Sequence, residues 1–422
     1  MESAARAQSG AAAADLPREL LDGLAELAVR TGLNLQEGQE LVMTVPAAAL
    51  PLARAITAAA YRAGAGLVTP IISDREITLA RFEHASADSF DRAPNWLYEG
   101  MAQAFERGAA RLALVGEDPL LLAEQDAGKV AQANRANATA YRPALAAISG
   151  FHINWSIIGC PTMDWAQRIF PDLPASDALD RLAAAISMTA RLDRPDPVAA
   201  WAEHNAQLAK RCKMLNEARF DALRFRGPGT DLTVGLAQGH FWQGGASQAR
   251  NGVICNPNIP TEEVFTTPHA ARVNGHVRAT KPLSHQGSLL EEIEMSFEEG
   301  RAVSARATRG GDILREMLAT DEGAARLGEV ALVPHSSPVS QSGLLYYNTL
   351  FDENAASHIA MGQCYASCFE GGDSLSKDEI RARGGNESLI HVDWMIGSEK
   401  IDVDGLRDGA EPVALMRQGE WT

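Results

Sequence analysis

The sequence is poor in cysteine, in basic charge and in long apolar runs. Its 422 residues include five cysteines, and no two of them have the Cys-x-x-Cys spacing. The sequence therefore indicates neither a disulfide framework nor a thiolate zinc site, and it favours a cytoplasmic location. The formal net charge is −16. A surface of that sign argues against binding to nucleic acid, whose phosphates require a basic partner.

No apolar run is long enough to cross a bilayer, so the sequence predicts no membrane association. Residues 1–14 are small and polar and lack the apolar centre of a secretory signal. We expect them to form a disordered lead-in. The rest has an ordinary globular composition, 46% hydrophobic and 22% charged, and a length that suggests two domains.

The first half of the chain alternates between segments typical of strands and segments typical of helices. The predicted strands are 38–46, 66–74, 111–119 and 151–159, and the helices between them include 47–63, 96–108 and 120–144. This order predicts an open parallel α/β domain over residues 15–217. The segment 66–74 is short and apolar, as expected of a buried parallel strand. No glycine-rich phosphate loop follows any of these strands, so no nucleotide site is inferred.

The second half has the pattern of a strand-rich domain. Residues 221–236 and 291–308 alternate between apolar and polar positions around glycines, which is typical of β-hairpins. A helix is predicted at 311–320. The fold class expected for the whole chain is therefore α/β, with an α+β metal-binding domain over residues 218–422 following the parallel domain.

The segment 328–397 concentrates side chains that bind metals. Its candidates are Glu329, Asp352, Glu353, His358, Tyr365, His391 and Asp393. His391 and Asp393 are two residues apart, so they share one face of a predicted strand. Glu353 and His358 bracket a single turn of helix or loop. Carboxylates and imidazoles at this density indicate a site for a divalent metal ion.

Several phrases of the second half resemble one known family. They are NPNIPTEEVFTTP (256–268), VRATKPL (277–283), DEGAARLGEVALVP (321–334), TLFDENAASHIAMGQCY (349–365) and HVDWMIGSEKIDVDG (391–405). In amino-acid sequence and in order along the chain, these segments resemble the metallo-aminopeptidases typified by aminopeptidase T and aminopeptidase S. Looser matches at 95–102 and 154–172 extend the resemblance over nearly the whole chain.

The resemblance implies a set of metal ligands. They are Glu263, Glu329, Glu353, His358, His391 and Asp393. Six ligands exceed what one four-coordinate zinc ion can use, which points to two divalent ions that share a carboxylate. Zinc, cobalt and manganese all remain candidates.

The ligand assignment leaves some alternatives open. We expect Glu263 or Glu329 to bridge the two ions, with His358 on one ion and His391 and Asp393 on the other. Glu263 is favoured over its neighbour Glu262 by the resemblance, because adjacent residues of an extended segment face opposite sides. Asp352 could replace Glu353, or Glu353 could support a ligand from behind.

The function implied by the resemblance is the removal of N-terminal residues from short peptides. The reaction would use a water activated by the two metal ions, with Glu329 as the proton acceptor. Tyr365 would donate to the oxyanion or brace a ligand. Arg278 and Lys281 could position a substrate or product carboxylate. A homodimer that encloses its sites in an internal cavity is also implied.

Three other functions remain open from the sequence. One is a mononuclear iron(II) ring-cleaving dioxygenase on a related fold, in which His358, His391 and Asp393 would be the ligands. A second is a hydrolase of another small amide, since hydrolases change substrate while keeping their ligands. The third is a non-catalytic binding protein that a metal stabilises.

Overall fold

The computed structural model describes residues 16–285 and 288–422, so the lead-in predicted at residues 1–14 lies outside the described residues. The α-helices, numbered α1 to α12 in chain order, are Arg18–Leu27, Leu50–Arg62, Arg75–His84, Asn95–Glu106, Ala127–Ser149, Met163–Ile169, Ala175–Thr189, Pro197–Ala218, Gly311–Leu318, Pro338–Ser342, Thr349–Asp352 and Lys377–Ala382. A π-helical turn, Ala28–Gly32, extends the first helix. The 3₁₀ turns are Ala47–Ala49, Ala87–Asp91, Gly323–Ala325, Glu353–Ala355, Ala366–Cys368 and Gly372–Ser374.

The strands are numbered β1 to β21. They are Glu40–Pro46, Leu67–Ser73, Ala110–Val115, Trp155–Gly159, Ala222–Gly227, Thr230–Leu236, Ser247–Gln248, Ile254–Cys255, Asn258–Ile259, Val264–Thr266, Pro268–Arg278, Leu283–His285, Ser288–Leu290, Glu294–Glu298, Arg301–Arg306, Leu327–Leu332, His358–Gly362, His391–Met395, Asp402–Leu406, Val413–Arg417 and Glu420–Trp421. The predicted class, α/β with a parallel sheet and antiparallel strand-rich sheets, is confirmed.

The first half of the chain forms a parallel sheet of order β2-β1-β3-β4-β9, covered by helices on both faces. The alternation of β1 explains the two layers. Leu41 and Met43 pack into a core that α1 and α2 share, while Val42 packs into a smaller core with residues of α4 and α5. Burial on both faces is the usual condition of a parallel sheet. The last strand, β9, comes from the second half of the chain.

The strand predicted at 66–74 exists, but its predicted burial is wrong. It forms β2, which lies at the edge of the sheet and pairs only with β1. Leu67 and Ile72 are 49% and 53% exposed. The physical reason is that an edge strand has a neighbour on one side only, and Pro70, which cannot donate to a ladder, suits such an edge.

The second half contains two antiparallel sheets. One has the order β15-β14-β11-β6-β5-β19-β20-β21, and the other has the order β10-β16-β17-β18. The predicted hairpins at 221–236 and 291–308 correspond to the pairs β5–β6 and β14–β15. A second large core lies between these sheets and α8, and Trp394 at its centre is fully buried.

The two halves interleave rather than follow one another cleanly. Besides β9, the second half sends Tyr346, Leu350 and Phe351 into the core of the first half. Helix α8 ends at Ala218, and the antiparallel sheets begin directly after it. The boundary predicted between residues 217 and 218 stays a prediction. None of the described helices is both long and apolar enough to cross a membrane.

Candidate metal centre

The four-stranded sheet directs acidic and imidazole side chains to one side. Ala360 of β17 pairs with Glu329 of β16 on one side and with Asp393 of β18 on the other. The three residues therefore form one row across the sheet and share a face. His358 and His391 lie two residues from members of this row, on β17 and β18, so they share the same face. The strand pattern of His391 and Asp393 therefore puts them where the sequence predicts.

Glu329 lies between the two histidines. One of its carboxylate oxygens lies 3.5 Å from Nε2 of His358, and the other lies 3.5 Å from Nε2 of His391. On one side Glu263 approaches Nε2 of His358 at 3.1 Å. On the other side Asp393 lies 3.4 Å from Nε2 of His391. The residues thus form two groups, Glu263–Glu329–His358 and Glu329–His391–Asp393, with Glu329 common to both.

Both imidazoles are oriented from behind by backbone carbonyls. Nδ1 of His358 lies 3.1 Å from the carbonyl of Ala356, and Nδ1 of His391 lies 2.7 Å from the carbonyl of Gln363. An Nδ1–H that donates to a carbonyl leaves the Nε2 lone pair free, which is the tautomer that binds a metal. No sequence pattern signals these two carbonyls, because they are positioned by the backbone and do not depend on residue type.

Neighbouring carboxylates in this region have opposite surroundings. Glu263 faces the histidines, whereas Glu262 is held by Arg191 at 2.8 Å on the side of the parallel domain. Likewise Asp352 accepts hydrogen bonds from the backbone N–H groups of Tyr346 (2.7 Å) and Asn348 (3.0 Å). Asp352 is thus engaged in its own turn.

Glu353, in contrast, lies in the 3₁₀ turn after α11 and lines the same cavity as Glu263, Glu329 and Asp393. It belongs to neither of the two compact groups, which makes it the least closely placed of the six predicted ligands. Asn354 ties this turn to the Glu263 segment, because its side-chain oxygen accepts from the N–H of Glu262 at 2.7 Å.

The pKa shifts within the cluster indicate electrostatic repulsion that a bound cation would reduce. Burial and the neighbouring Glu263 and Asp393 raise the pKa of Glu353 well above its usual value. Burial lowers the pKa of His358, but the adjacent carboxylates of Glu263 and Glu329 outweigh that effect and raise it well above the ordinary value. Each group thus resists the charge state in which it binds a metal until a positive ion is present.

Two carboxylate oxygens support the fit to a metal. Oε2 of Glu263 and Oδ1 of Asp393 are buried, and neither accepts a hydrogen bond within the described part of the chain. A buried carboxylate oxygen is costly without a partner. Both oxygens belong to the groups that Glu329 joins, and carboxylate oxygens with imidazole nitrogens suit zinc, cobalt or manganese.

A cavity of about 430 Å³ opens onto the cluster. Tyr365 lies at its mouth, 43% exposed, with its ring centroid 4.7 Å from that of His391 and 6.2 Å from that of Phe265. The volume is within the range of about 300–1,000 Å³ that is usual for small-molecule sites. Arg278 and Lys281, matched by the resemblance, do not line it, and Arg278 pairs with Glu292 at 2.9 Å.

The chain matches the sequence model of the family described as Thermophilic metalloprotease (M29) over residues 18–421, which is nearly its whole length. The chain belongs to this M29 family. Aminopeptidase T of Thermus thermophilus is 53% identical to this M29 protein over 401 residues, covering 95% of this chain and 98% of the relative. Aminopeptidase 2 of Geobacillus stearothermophilus is 45% identical, covering 95% and 97%.

A solved structure of wild-type AmpT from Thermus thermophilus superposes on this M29 chain with a TM-score of 0.91. The two are 52% identical, and the match covers 96% of this chain and 99% of the other. The resemblance drawn from the sequence is thereby confirmed. The protein is a metal-dependent aminopeptidase, and thus a hydrolase of peptide bonds.

Proposed function

We propose that this M29 aminopeptidase removes N-terminal residues from short peptides at a centre of two divalent metal ions. The observation that carries the proposal is the position of Glu329, whose two oxygens each lie 3.5 Å from a different histidine nitrogen. A carboxylate between two sets of donors is the arrangement that a pair of ions requires. Glu263 and His358 would hold one ion, and His391 and Asp393 the other. Glu353 would add a further ligand from its turn.

When bound, the two ions supply a water of lowered pKa, from about 15.7 towards about 7, and polarise the scissile carbonyl. The protein groups contribute the rest of the chemistry. The proton released during attack on the carbonyl carbon would pass to a carboxylate of the cluster with an oxygen that no ion engages, and Glu329 would fill this role where Glu263 is the shared carboxylate. The Tyr365 phenol, at the mouth of the cavity beside His391, donates a hydrogen bond to the oxygen that becomes negative.

The same cluster explains the preference for a free N-terminus. A protonated or metal-directed α-amino group needs negative charge or a metal beside it, and the cavity wall offers the carboxylates of Glu263, Glu353 and Asp393. Apolar side chains such as Phe265 line the adjacent space. The cavity size limits the substrate to a small molecule, which favours short peptides over folded proteins.

The iron dioxygenase has no observation in its favour. It would use His358, His391 and Asp393 alone, leaving Glu263 and Glu329 without a role although both directly face the histidines. Another small amide remains a second candidate substrate class, because the same ligands and water would hydrolyse it. Metal identity among zinc, cobalt and manganese is part of the proposal, and the donor types accommodate all three.

The cytoplasmic location and the homodimer are proposals of the same kind. Cys160, Cys212, Cys255, Cys364 and Cys368 are all free and buried, which suits a reducing compartment. The homodimer follows from the resemblance to the family. Sedimentation of the purified protein would test it, with an expected mass of about twice 45.1 kDa; a mass of one chain would contradict it.

The central test combines metal content with activity. The purified protein is stripped with a chelator, reloaded separately with zinc, cobalt and manganese, and assayed on aminoacyl p-nitroanilides and on short peptides. We expect about two ions per chain and activity that requires them. Glu329→Gln should lose activity and bind both ions more weakly, whereas His358→Ala should still bind about one ion per chain.

A matched control keeps this test specific. His276 and Glu298 are exposed residues of the eight-stranded sheet, so His276→Ala and Glu298→Gln should retain two ions and full activity. A single bound iron with cleavage of an aromatic ring would overturn the proposal, as would an active Glu329→Gln variant. Hydrolysis of a non-peptide amide at a higher kcat/KM than any peptide would select the second substrate class.

A further inference from the structure

Part of the wall of the cavity that contains the metal cluster belongs to the parallel sheet. Arg111 of β3 and Trp155 of β4 are direct partners in the register of these strands. They therefore share a face on strands about 4.8 Å apart. Both side chains line the cavity that contains Glu263, Glu329 and His391. The same cavity is thus lined both by the acidic candidate ligands and by a basic residue.

The two residues carry donors that nothing satisfies. Nε of Arg111 and Nε1 of Trp155 are both buried, and neither has a hydrogen-bond partner within residues 16–285 and 288–422. A guanidinium stays charged in proteins and has five N–H donors, while the indole N–H can only donate. Two orphaned donors on adjacent strands, facing one cavity, indicate a place for an acceptor that the protein itself does not supply.

The charge at this position also needs a partner. No carboxylate within the described chain forms an ion pair with Arg111. Burial lowers the pKa of Arg111, and only the neutral hydroxyl of the neighbouring Tyr141 opposes that effect. A buried unpaired cation is costly, and a negative ligand would offset that cost. The cavity that contains the candidate metal ligands is therefore also lined by a cationic side chain that has no ion-pair partner within the described chain.

We propose that Arg111 and Trp155 bind the C-terminal carboxylate of a short peptide whose N-terminal residue lies at the metal centre. The inference rests on the proposed function and names its substrate class: peptides that end in a free carboxylate within reach of both ends of the cavity. A planar guanidinium matches a carboxylate with paired hydrogen bonds. Tyr141, Leu145 and Phe265 line the same cavity and would provide apolar contact for the peptide.

Binding both termini of the substrate would make the enzyme selective for peptide length. Peptides too short to span the cavity would lose the contact with Arg111, and longer ones would not fit with the C-terminus in place. Peptides with a blocked C-terminus would lose the same contact at any length. Neither Arg278 nor Lys281 competes for this role, because neither lines the cavity.

The test compares a tripeptide, Leu-Gly-Gly, with its C-terminal amide, using the metal-loaded full-length enzyme. Leucine p-nitroanilide serves as a substrate that has no carboxylate. We expect the wild type to hydrolyse the free acid with a kcat/KM at least about tenfold above that of the amide, mainly through KM. Arg111→Gln should bring this ratio close to one. Arg111→Lys should keep part of it because the charge remains.

Trp155→Phe supplies an independent variant, since it keeps an aromatic side chain and removes the N–H donor. It should lower the acid-to-amide ratio by less than Arg111→Gln does. Arg168→Gln is the matched control, because Arg168 is already paired with Asp118 at 3.0 Å and does not line this cavity. It should keep the wild-type ratio.

Several outcomes would overturn the inference. Equal rates on the acid and the amide in the wild type would do so without any variant. Arg111→Gln with lower rates but an unchanged ratio would show a structural role only. If the anilide is hydrolysed while the ratio is one, the carboxylate site fails and the proposed function stands. If the metal-loaded wild type hydrolyses none of the three substrates, both are overturned.

Discussion

At the scale of single residues, adjacent acids in this protein have unlike surroundings, and the contacts of each acid in the folded chain decide what it can do. Glu262 is buried against Arg191, while Glu263 faces His358. Asp352 holds two backbone N–H groups of its own turn, while Glu353 lines the cavity. Both members of each pair are carboxylates, so their contacts in the folded chain decide which one can face the cavity and which one stabilises its surroundings.

The pair Asp352 and Glu353 gives a direct prediction. Glu353→Gln should lower kcat/KM by about 10–100-fold, the usual cost of disturbing the support or ligation of a metal site, with little loss of stability. Asp352→Asn should lower the free energy of unfolding by about 1–3 kcal/mol, because one buried N–H, of Tyr346 or Asn348, loses its acceptor. Thermal melts and kinetics of both variants check this.

The two variants control each other because they are neighbours with similar chemistry. Metal content, measured on the same preparations, should fall for Glu353→Gln and stay near the wild-type value for Asp352→Asn. The reverse pattern, with Asp352→Asn depleted of metal and Glu353→Gln merely less stable, would exchange the roles that we assign to these carboxylates.

His204 should make stability depend on pH. It is buried, and its Nε2 lies 2.8 Å from the carbonyl of Thr261, an arrangement that suits a neutral imidazole donating an N–H. Burial, with a smaller effect of Arg191, lowers its pKa from 6.5 to about 3. Between those values the unfolded chain binds a proton that the folded chain does not, so stability is present above pH 6.5 and is lost as the pH falls towards 3.

The expected slope from this one group is up to about 1.4 kcal/mol per pH unit. Urea unfolding from pH 7 to pH 4, with chelator present throughout so that metal release does not contribute, would measure it. His204→Gln should flatten the profile on the acid side. The same measurement on His276→Gln, at an exposed histidine of β11, provides the matched control. A His204→Gln profile as steep as the wild type would contradict the assignment.

At the scale of elements, the structure bears out much of what local patterns indicate. The alternation of HVDW predicts that His391 and Asp393 share a face and that Val392 and Trp394 are buried, and both features are present. The edge position of β2 had one local signal, Pro70, which an expectation of burial overlooked. The alternation of apolar and polar residues predicts which face of a sheet a side chain occupies, but it does not predict which strands lie next to each other.

Gly362 allows a test of the element that carries the cluster. It ends β17 opposite His391 with a φ of +103°, and an added Cβ would lie 2.1 Å from the backbone oxygen of Ile390. That oxygen accepts from the N–H of Gln363, whose carbonyl in turn orients His391. Gly362→Ala should therefore cost at least about 1–3 kcal/mol of stability and also weaken metal binding at His391.

The measurement is a denaturant melt paired with metal titration. Gly100, within α4, serves as the control because a Cβ there would meet nothing within 4 Å and its backbone is helical. Gly100→Ala should be neutral or stabilising by up to about 1 kcal/mol. If Gly362→Ala binds metal and unfolds like the wild type, then β17 and β18 tolerate a displacement that we expect to disturb the site.

At the scale of the whole molecule, the site depends on convergence that local sequence could not reveal. Glu263 lies just after β9, the last strand of the parallel sheet, while the other proposed ligands lie 66 or more residues further along the chain. Their assignment from sequence came from the family resemblance, because no periodicity relates Glu263 to His358. No sequence pattern relates Arg111 to Trp155 either, since only the register of β3 and β4 brings them together.

This convergence predicts that bound metal stabilises the molecule as a whole. The ions would join β16, β17 and β18 to the segment that continues from the parallel sheet, so binding to the folded chain adds stability. At a free metal concentration of about 100 times Kd the expected gain is about 2.7 kcal/mol per site.

Calorimetry should show a lower Tm in chelator, restored by added zinc, cobalt or manganese. Glu329→Gln, which removes the carboxylate common to both groups, should lose most of that shift, while Glu298→Gln should keep it. An undiminished shift in Glu329→Gln would mean that the stabilising ion binds elsewhere.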